Sequence, residues 1–279
     1  MSTKTLPPLR DVIARYDLMA RKSLGQHFLC DLNLTRCIAE QAGDLSGSIV
    51  LEIGPGPGGL TRALLDTKAS HIIAIEKDQR CLPALHDIAA LANQRLQVIE
   101  GDALKTNYRA LINDHPCSIV ANLPYNIGTE LLLEWLHEIE LYRSLTLMFQ
   151  REVAERISAK LSSKAYGRLS IISQFCCNVQ LVMNIPARAF TPAPKVDSAV
   201  VHLTPRAERP SDISLQTMEI LTAAAFGQRR KMLRSSLRSL GGEILLQQAQ
   251  IDPTLRAENL SLQDFENLAR HLQKANALV

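Results

Sequence analysis

At 279 residues, with 46% apolar and 21% charged residues, the chain has an ordinary globular composition, with room for one large domain and a smaller one. A net charge of +3 is too weak to argue for nucleic acid by itself, and aromatics at 4% are so few that each one beside a motif carries weight. The six cysteines (Cys30, Cys37, Cys81, Cys117, Cys176 and Cys177) form no C-x-x-C pair and have no histidine at zinc-ligand spacing, so no metal is expected.

The N-terminal stretch lacks the apolar core of a signal peptide, and no uninterrupted apolar run reaches membrane length. A reducing cytoplasm is the simplest placement, with no membrane partner. Cys176 and Cys177 fall in an apolar helical stretch and read as buried thiols. Four β-rich runs follow, "SIVLEIG" (48–54), "HIIAIE" (71–76), "LQVIEGD" (96–102) and "CSIVANLP" (117–124), with helical patterns between them. Their ends lie about 20–25 residues apart, the spacing of βα units and a parallel sheet. "SLTLMFQ" (144–150) reads as a fifth strand. "NVQLVMNI" (178–185) and "DSAVVHLTP" (197–205) are joined so closely that an antiparallel pair at one sheet edge is expected.

After Pro205 the polar "RAERPSD" leads into a region of helical pattern. Its last helix starts at Ser261, with Asp264 three residues on as in a capping box. Leu262, Phe265, Leu268, Ala269 and Leu272 then mark one face. The predicted organisation is an α/β domain over 1–205 and a small all-helical domain over 206–279.

"LEIGPGPGGLT" places Gly54, Gly56 and Gly58 between the first strand and a helix, where glycines permit a tight turn and let backbone amides approach a ligand. Gly54, Gly56 and Gly59 also satisfy G-x-G-x-x-G, which keeps a dinucleotide oxidoreductase open. A phosphate-cradling NTPase loop is excluded, because Leu60 stands where its lysine belongs. Glu76 ends the next strand about 20 residues on, where a carboxylate accepts ribose hydroxyls. Asp102 ends the strand after that, on the same sheet edge, where it could accept from an adenine amine. With Glu52 these acids make a site that would repel a pyrophosphate. They suit a ligand carrying ribose, adenine and positive charge, a description that S-adenosyl-L-methionine fits.

"VANLPYNIG" (120–128) ends the fourth βα strand with an amide, a proline and an aromatic ring. An exocyclic aromatic amine is a poor nucleophile because its lone pair is delocalised. Acceptors placed on its two hydrogens localise that pair and aim it. The Asn122 side-chain carbonyl and the Leu123 main-chain carbonyl can be those acceptors. Pro124 holds the residue before it extended, and Tyr125 offers a ring on which a base can stack.

"SLGQHFL", "LEIGPGPGGLT", "VANLPYNI", "KAYGRLS", "AFTPAPKVDSAV" and "AFGQRRKMLRSSL" occur in this order. Together they resemble the bacterial small-subunit rRNA adenine dimethyltransferases of the KsgA type, from about residue 21 to residue 270. The resemblance implies a Rossmann-like class I S-adenosylmethionine-dependent methyltransferase sheet. It also implies dimethylation of two adjacent adenosines near the 3′ end of small-subunit (16S) rRNA, on an immature small ribosomal subunit. By motif, His27 and Leu29 would line the cofactor's methionine and adenosine side. Gly54 would lie in the turn, Glu76 at the ribose, Asp102 at the adenine and Asn122 beside the methyl. The family often carries Asn where this chain has His27; imidazole can also donate or accept. Phe190 would pack the flipped base opposite Tyr125, and Arg188 and Lys195 would contact flanking phosphates.

"QRRKMLRSSLR" (228–238) carries Arg229, Arg230, Lys231, Arg234 and Arg238 with no acid among them, a further expected RNA surface. Arg151, Arg156, Lys160, Lys164 and Arg168 form a second basic set, expected to line a cleft between the domains. Competing readings are a large-subunit rRNA adenine methyltransferase of the macrolide-resistance type and an assembly factor whose methylation is secondary. No heptad or large apolar stripe demands a partner, so a monomer is expected.

Overall fold

The computed structural model describes residues 6–21, 24–228 and 230–276. In chain order the first elements are α1 (Leu9–Arg15), β1 (Phe28–Leu29), α2 (Leu32–Glu40), β2 (Ile49–Ile53), α3 (Gly59–Leu65), β3 (His71–Glu76), α4 (Leu82–Leu91) and β4 (Leu96–Glu100). Then come α5 (Tyr108–Ile112), β5 (Cys117–Asn122), α6 (Gly128–His137), β6 (Tyr142–Gln150), α7 (Arg151–Ile157), α8 (Arg168–Cys176), β7 (Cys177–Ile185), β8 (Phe190–Thr191) and β9 (Ser198–Pro205).

Seven strands form one sheet in the order β4-β3-β2-β5-β6-β9-β7. The runs from β4 to β6 pair in parallel, and β9 inserts antiparallel between β6 and β7, with Thr146 opposite His202. The interior strands read as continuous apolar runs because helices cover both faces of a parallel sheet. Val50, Leu51, Ile72, Ile119 and Val120 have essentially no exposed surface. Cys177 opens β7, so the expected helical cysteine pair straddles a helix–strand junction, and both thiols are buried.

The chain leaves β2 toward β3 and β4 on one side and returns to β5 on the other. That reversal opens a crevice at the carboxyl ends of β2 and β5, where doubly wound sheets bind ligands. The glycine turn follows β2 and Asn122 ends β5, so both motifs meet there.

The chain folds as two units. One takes the chain through Ala154 together with Gln180–Pro205. The other takes Glu155–Val179 together with the chain from Arg206 onward, so the second unit includes a segment expected in the first. The cause is packing. Phe175, Ile171 and Ile172 on α8 are buried, and the Tyr166 hydroxyl donates to the Leu260 carbonyl at 2.8 Å.

Helices α9 (Leu215–Gly227), α10 (Leu233–Ser236), α11 (Gly242–Gln248) and α12 (Leu262–Asn276) complete the second unit. Its core includes Met218, Leu221, Leu246, Phe265 and Leu268. At the start of α12, the Asp264 amide donates to Ser261 Oγ at 3.2 Å and the Ser261 amide donates to Asp264 Oδ2 at 2.8 Å. This is the reciprocal cap that the spacing predicts. Behind it, the buried Glu266 is neutralised by Arg206, which a carboxylate removed from water requires.

Candidate active site

A cavity of about 180 Å³ occupies the crevice. Its lining joins the glycine turn, the acids ending β2, β3 and β4, the segment after β5, and the 24–29 segment. Gly54 and Gly56 have φ of +66° and +56°, values that L side chains rarely adopt. A Cβ on Gly54 would touch the Pro124 ring at 3.6 Å, and one on Gly56 would press the Phe28 ring at 3.2 Å.

Gly58 differs from the expectation. It does not line the cavity; its φ is +87°, and a Cβ there would meet Ile88 Cδ1 at 2.2 Å. This glycine lets α3 start against α4, a packing role that sequence spacing cannot separate from ligand approach.

Glu76 does more than end a strand. Its Oε2 accepts the Gly56 amide at 2.8 Å and its Oε1 accepts the Asp78 amide at 2.7 Å, so it ties the glycine turn to the next strand. Burial raises its pKa, opposed by those amides. Asp102 is more open. Its Oδ2 accepts Lys77 Nζ at 2.8 Å, and this hydrogen bond holds its carboxyl below the usual range. Its Oδ1 accepts the Leu104 amide at 3.2 Å. Lys77 carried no expectation from sequence, because an exposed lysine after a strand has no local signature.

Glu52 sits at the floor, 1% exposed, and its Oε2 has no hydrogen-bond partner. Burial, reinforced by the nearby Glu76, pushes its pKa up to about 8. An orphaned carboxylate oxygen facing a cavity is a place for a cation. Three acids and a glycine cradle therefore fit a ligand with a ribose, an adenine and a sulfonium and ammonium, and oppose a pyrophosphate.

Asn122 is half-buried at the end of β5, and Leu123 is buried beneath it. The Pro124 carbonyl accepts the Ile127 and Gly128 amides at 3.2 and 3.0 Å, turning the chain into α6. Among the described residues, neither the Asn122 carboxamide nor the Leu123 carbonyl is engaged in a hydrogen bond. Both residues line the cavity.

Tyr125 is fixed at its hydroxyl by Ser198 Oγ at 2.5 Å, and its ring lies 5.5 Å from that of His27, tilted by 30°. His27 and Leu29 both line the cavity. Phe190 departs from the expectation. It pairs with Leu29 across the short β1–β8 ladder and is buried in the core, outside the cavity wall. Apolar burial won over exposure at the rim, an outcome open to any phenylalanine. Arg188 and Lys195 are exposed on the loop around β8.

Arg230, Lys231, Arg234 and Arg238 are exposed in the second unit, and Arg229 lies outside the described residues. Of the second basic set, all exposed, Arg151 belongs to the first unit and Arg156, Lys160, Lys164 and Arg168 to the second.

A family described as ribosomal RNA adenine dimethylase matches residues 18–274. The chain is similar to the ribosomal RNA small subunit methyltransferase A of Ruegeria sp. (strain TM1040), 58% identical with 96% of this chain and 98% of the relative covered. It is 55% identical to the protein of that name in Mesorhizobium japonicum, with 96% and 99% covered. Among solved structures, a dimethyladenosine transferase from Plasmodium falciparum superposes with a TM-score of 0.75 at 28% identity, covering 90% of this chain and 98% of that one. The 23S rRNA methyltransferase ErmE superposes at 0.68 with 26% identity, covering 88% and 99%.

Proposed function

The chain belongs to the ribosomal RNA adenine dimethylase family, and from that premise we propose that it dimethylates the exocyclic amines of two adjacent adenosines near the 3′ end of small-subunit rRNA. The cofactor is S-adenosyl-L-methionine, which supplies an electrophilic methyl group on a sulfonium. The observation that carries the reading is the pair of unused acceptors, Asn122 Oδ1 and Leu123 O, beside a cavity rich in carboxylates.

Glu76 accepts from the cofactor's ribose, Asp102 from its adenine amine, and Glu52 sets a negative charge against its positive end. The Gly54 and Gly56 backbone allows close approach. On the substrate side, Asn122 and Leu123 hold the two amine hydrogens and direct the nitrogen lone pair at the methyl group. No strong base is needed, because the amine proton becomes acidic only after transfer. The ring of Tyr125 supports the base, which has left its stack to reach the site. Arg188, Lys195, Arg230, Lys231 and Arg234 are exposed cations suited to phosphates. The reading takes as substrate an immature small subunit in the cytoplasm, met by a single copy of the chain.

The test is transfer of tritiated methyl from S-adenosylmethionine to small-subunit particles that lack the modification. Asn122→Ala is expected to lower kcat by about 10²–10³-fold with cofactor affinity largely kept, the cost of removing one positioned group from a transition state. No transfer by the unaltered chain sinks the proposal. The likeness to ErmE keeps one alternative specific, and mass spectrometry of both rRNAs decides it: modified adenosine confined to the large subunit would favour that reading.

A further inference from the structure

The cavity is lined by three acids, Glu52, Glu76 and Asp102, and among the described residues by a single lysine or arginine, Lys77. A cation in a site suited to a cationic ligand calls for a reason. Lys77 follows the end of β3 and reaches across to the residues just past β4, where its Nζ donates to Asp102 Oδ2 at 2.8 Å. Asp102 Oδ1 accepts the Leu104 amide at 3.2 Å and so caps the short turn Ala103–Lys105. Both oxygens of the acid that meets the adenine amine are thus already engaged.

The two bonds differ in what releases them. The Leu104 amide belongs to the backbone of the capped turn and leaves only if that turn unwinds. The Lys77 bond joins a side chain that is 61% exposed to one that is 20% exposed. Such pairs are held weakly, because water and the freedom of a long flexible stem offset the Coulomb attraction. Lys77 is therefore the partner that gives way when another donor arrives. We propose that Lys77 is a positioning residue acting through Asp102: a built-in competitor that holds the adenine acceptor in the cofactor-free protein, yields it to the cofactor's exocyclic amine, and takes it back as the spent cofactor leaves. This deepens the functional reading above and rests on its placement of the adenine amine at Asp102.

The consequence is exchange. Two methyls on each of two adenosines need a fresh cofactor for every transfer, and spent and fresh cofactor carry the same adenine. Competition at that end weakens the hold on both alike and speeds release. The strength of an exposed ion pair bounds the effect at a factor of about two to five in affinity. The experiment measures Kd and the dissociation rate of S-adenosyl-L-homocysteine on the full-length chain and on Lys77→Met, Lys77→Arg and Asp102→Ala. Lys77→Met keeps an unbranched stem and removes the charge. It should tighten Kd about two- to fivefold, mostly through slower dissociation. Lys77→Arg keeps a cation and should stay within about twofold of the parent. Added salt should narrow the gap between the parent and Lys77→Met, because screening weakens the pair.

A ligand analogue with purine in place of adenine separates this role from a merely structural one. It lacks the exocyclic amine, has nothing to exchange with Lys77, and should bind the parent and Lys77→Met equally. In an Asp102→Ala background, Lys77→Met should change nothing further, because residues acting through one partner are non-additive. Melting curves show that each variant is folded. Unchanged or weaker binding of S-adenosyl-L-homocysteine by Lys77→Met, or equal tightening of the analogue without the amine, would overturn the proposal. If Asp102→Ala binds the adenine ligand as tightly as the parent, the placement of adenine at Asp102 falls, and the proposal with it. If Asp102→Ala weakens binding and Lys77→Met does not tighten it, the proposal falls alone.

Discussion

Glu52 is the residue whose setting departs furthest from that of an aqueous carboxylate. It is buried, Oε2 is unpartnered, and the neighbouring Thr61 amide and hydroxyl pull against the shift without closing a bond to that oxygen. Its folded pKa, about 8, lies above its ordinary value of 4.5. The sign follows from linkage: the neutral form suits the fold, so this contribution to stability is present below the ordinary value and is lost as pH rises through about 8. The cofactor-free protein should therefore lose Tm between about pH 4.5 and 8, and Glu52→Gln should flatten that loss in a melting series. A cationic ligand reverses the preference, so cofactor binding near pH 7 should release a proton from Glu52. Titration calorimetry in buffers of different ionisation enthalpy checks this, and Glu52→Gln should abolish the release while weakening affinity about tenfold, near 1.4 kcal/mol. Sequence reading found this residue among the acids of the glycine turn; its protonation state needed the burial.

Among the elements, the α3–α4 contact turns on Gly58. Its left-handed φ and the 2.2 Å between Ile88 Cδ1 and the place a Cβ would take mean that alanine must both strain the backbone and displace a buried side chain. Gly58→Ala should cost roughly 2–3 kcal/mol, read as a lower denaturation midpoint with an unchanged slope in urea. The strands from β2 to β6 were legible because a run apolar on both faces has few homes outside a covered parallel sheet. The α12 cap was legible because Ser261 and Asp264 are three residues apart. The β1–β8 ladder was not. Its strands are two residues each, below any periodicity, and they are joined only when distant chain segments meet.

For the whole molecule, electrostatics and folding units separate what a sum can show from what an arrangement shows. A net charge of +3 hides the acid-free exposed cluster of Arg230, Lys231, Arg234 and Arg238. If Arg234 neutralises a phosphate, Arg234→Ala should lower the slope of log Kd against log salt by about 1 for a small-subunit rRNA fragment, by fluorescence anisotropy, and leave cofactor affinity unchanged. The boundary after Pro205 was visible as a change in composition, whereas the assignment of Glu155–Val179 to the helical unit was not. An amphipathic pattern says that a face is buried and is silent about the partner. The sequence alone determined the parallel strands and brought the glycine turn and Asn122 to one edge, because strand ends in a doubly wound sheet gather motifs there by topology. Only the tertiary structure decided that Gly58 and Phe190 serve packing, that Lys77 pairs with Asp102, and that His27 and Ser198 reach Tyr125. Those contacts join residues far apart in the chain, and nothing local in a sequence encodes a distance across space.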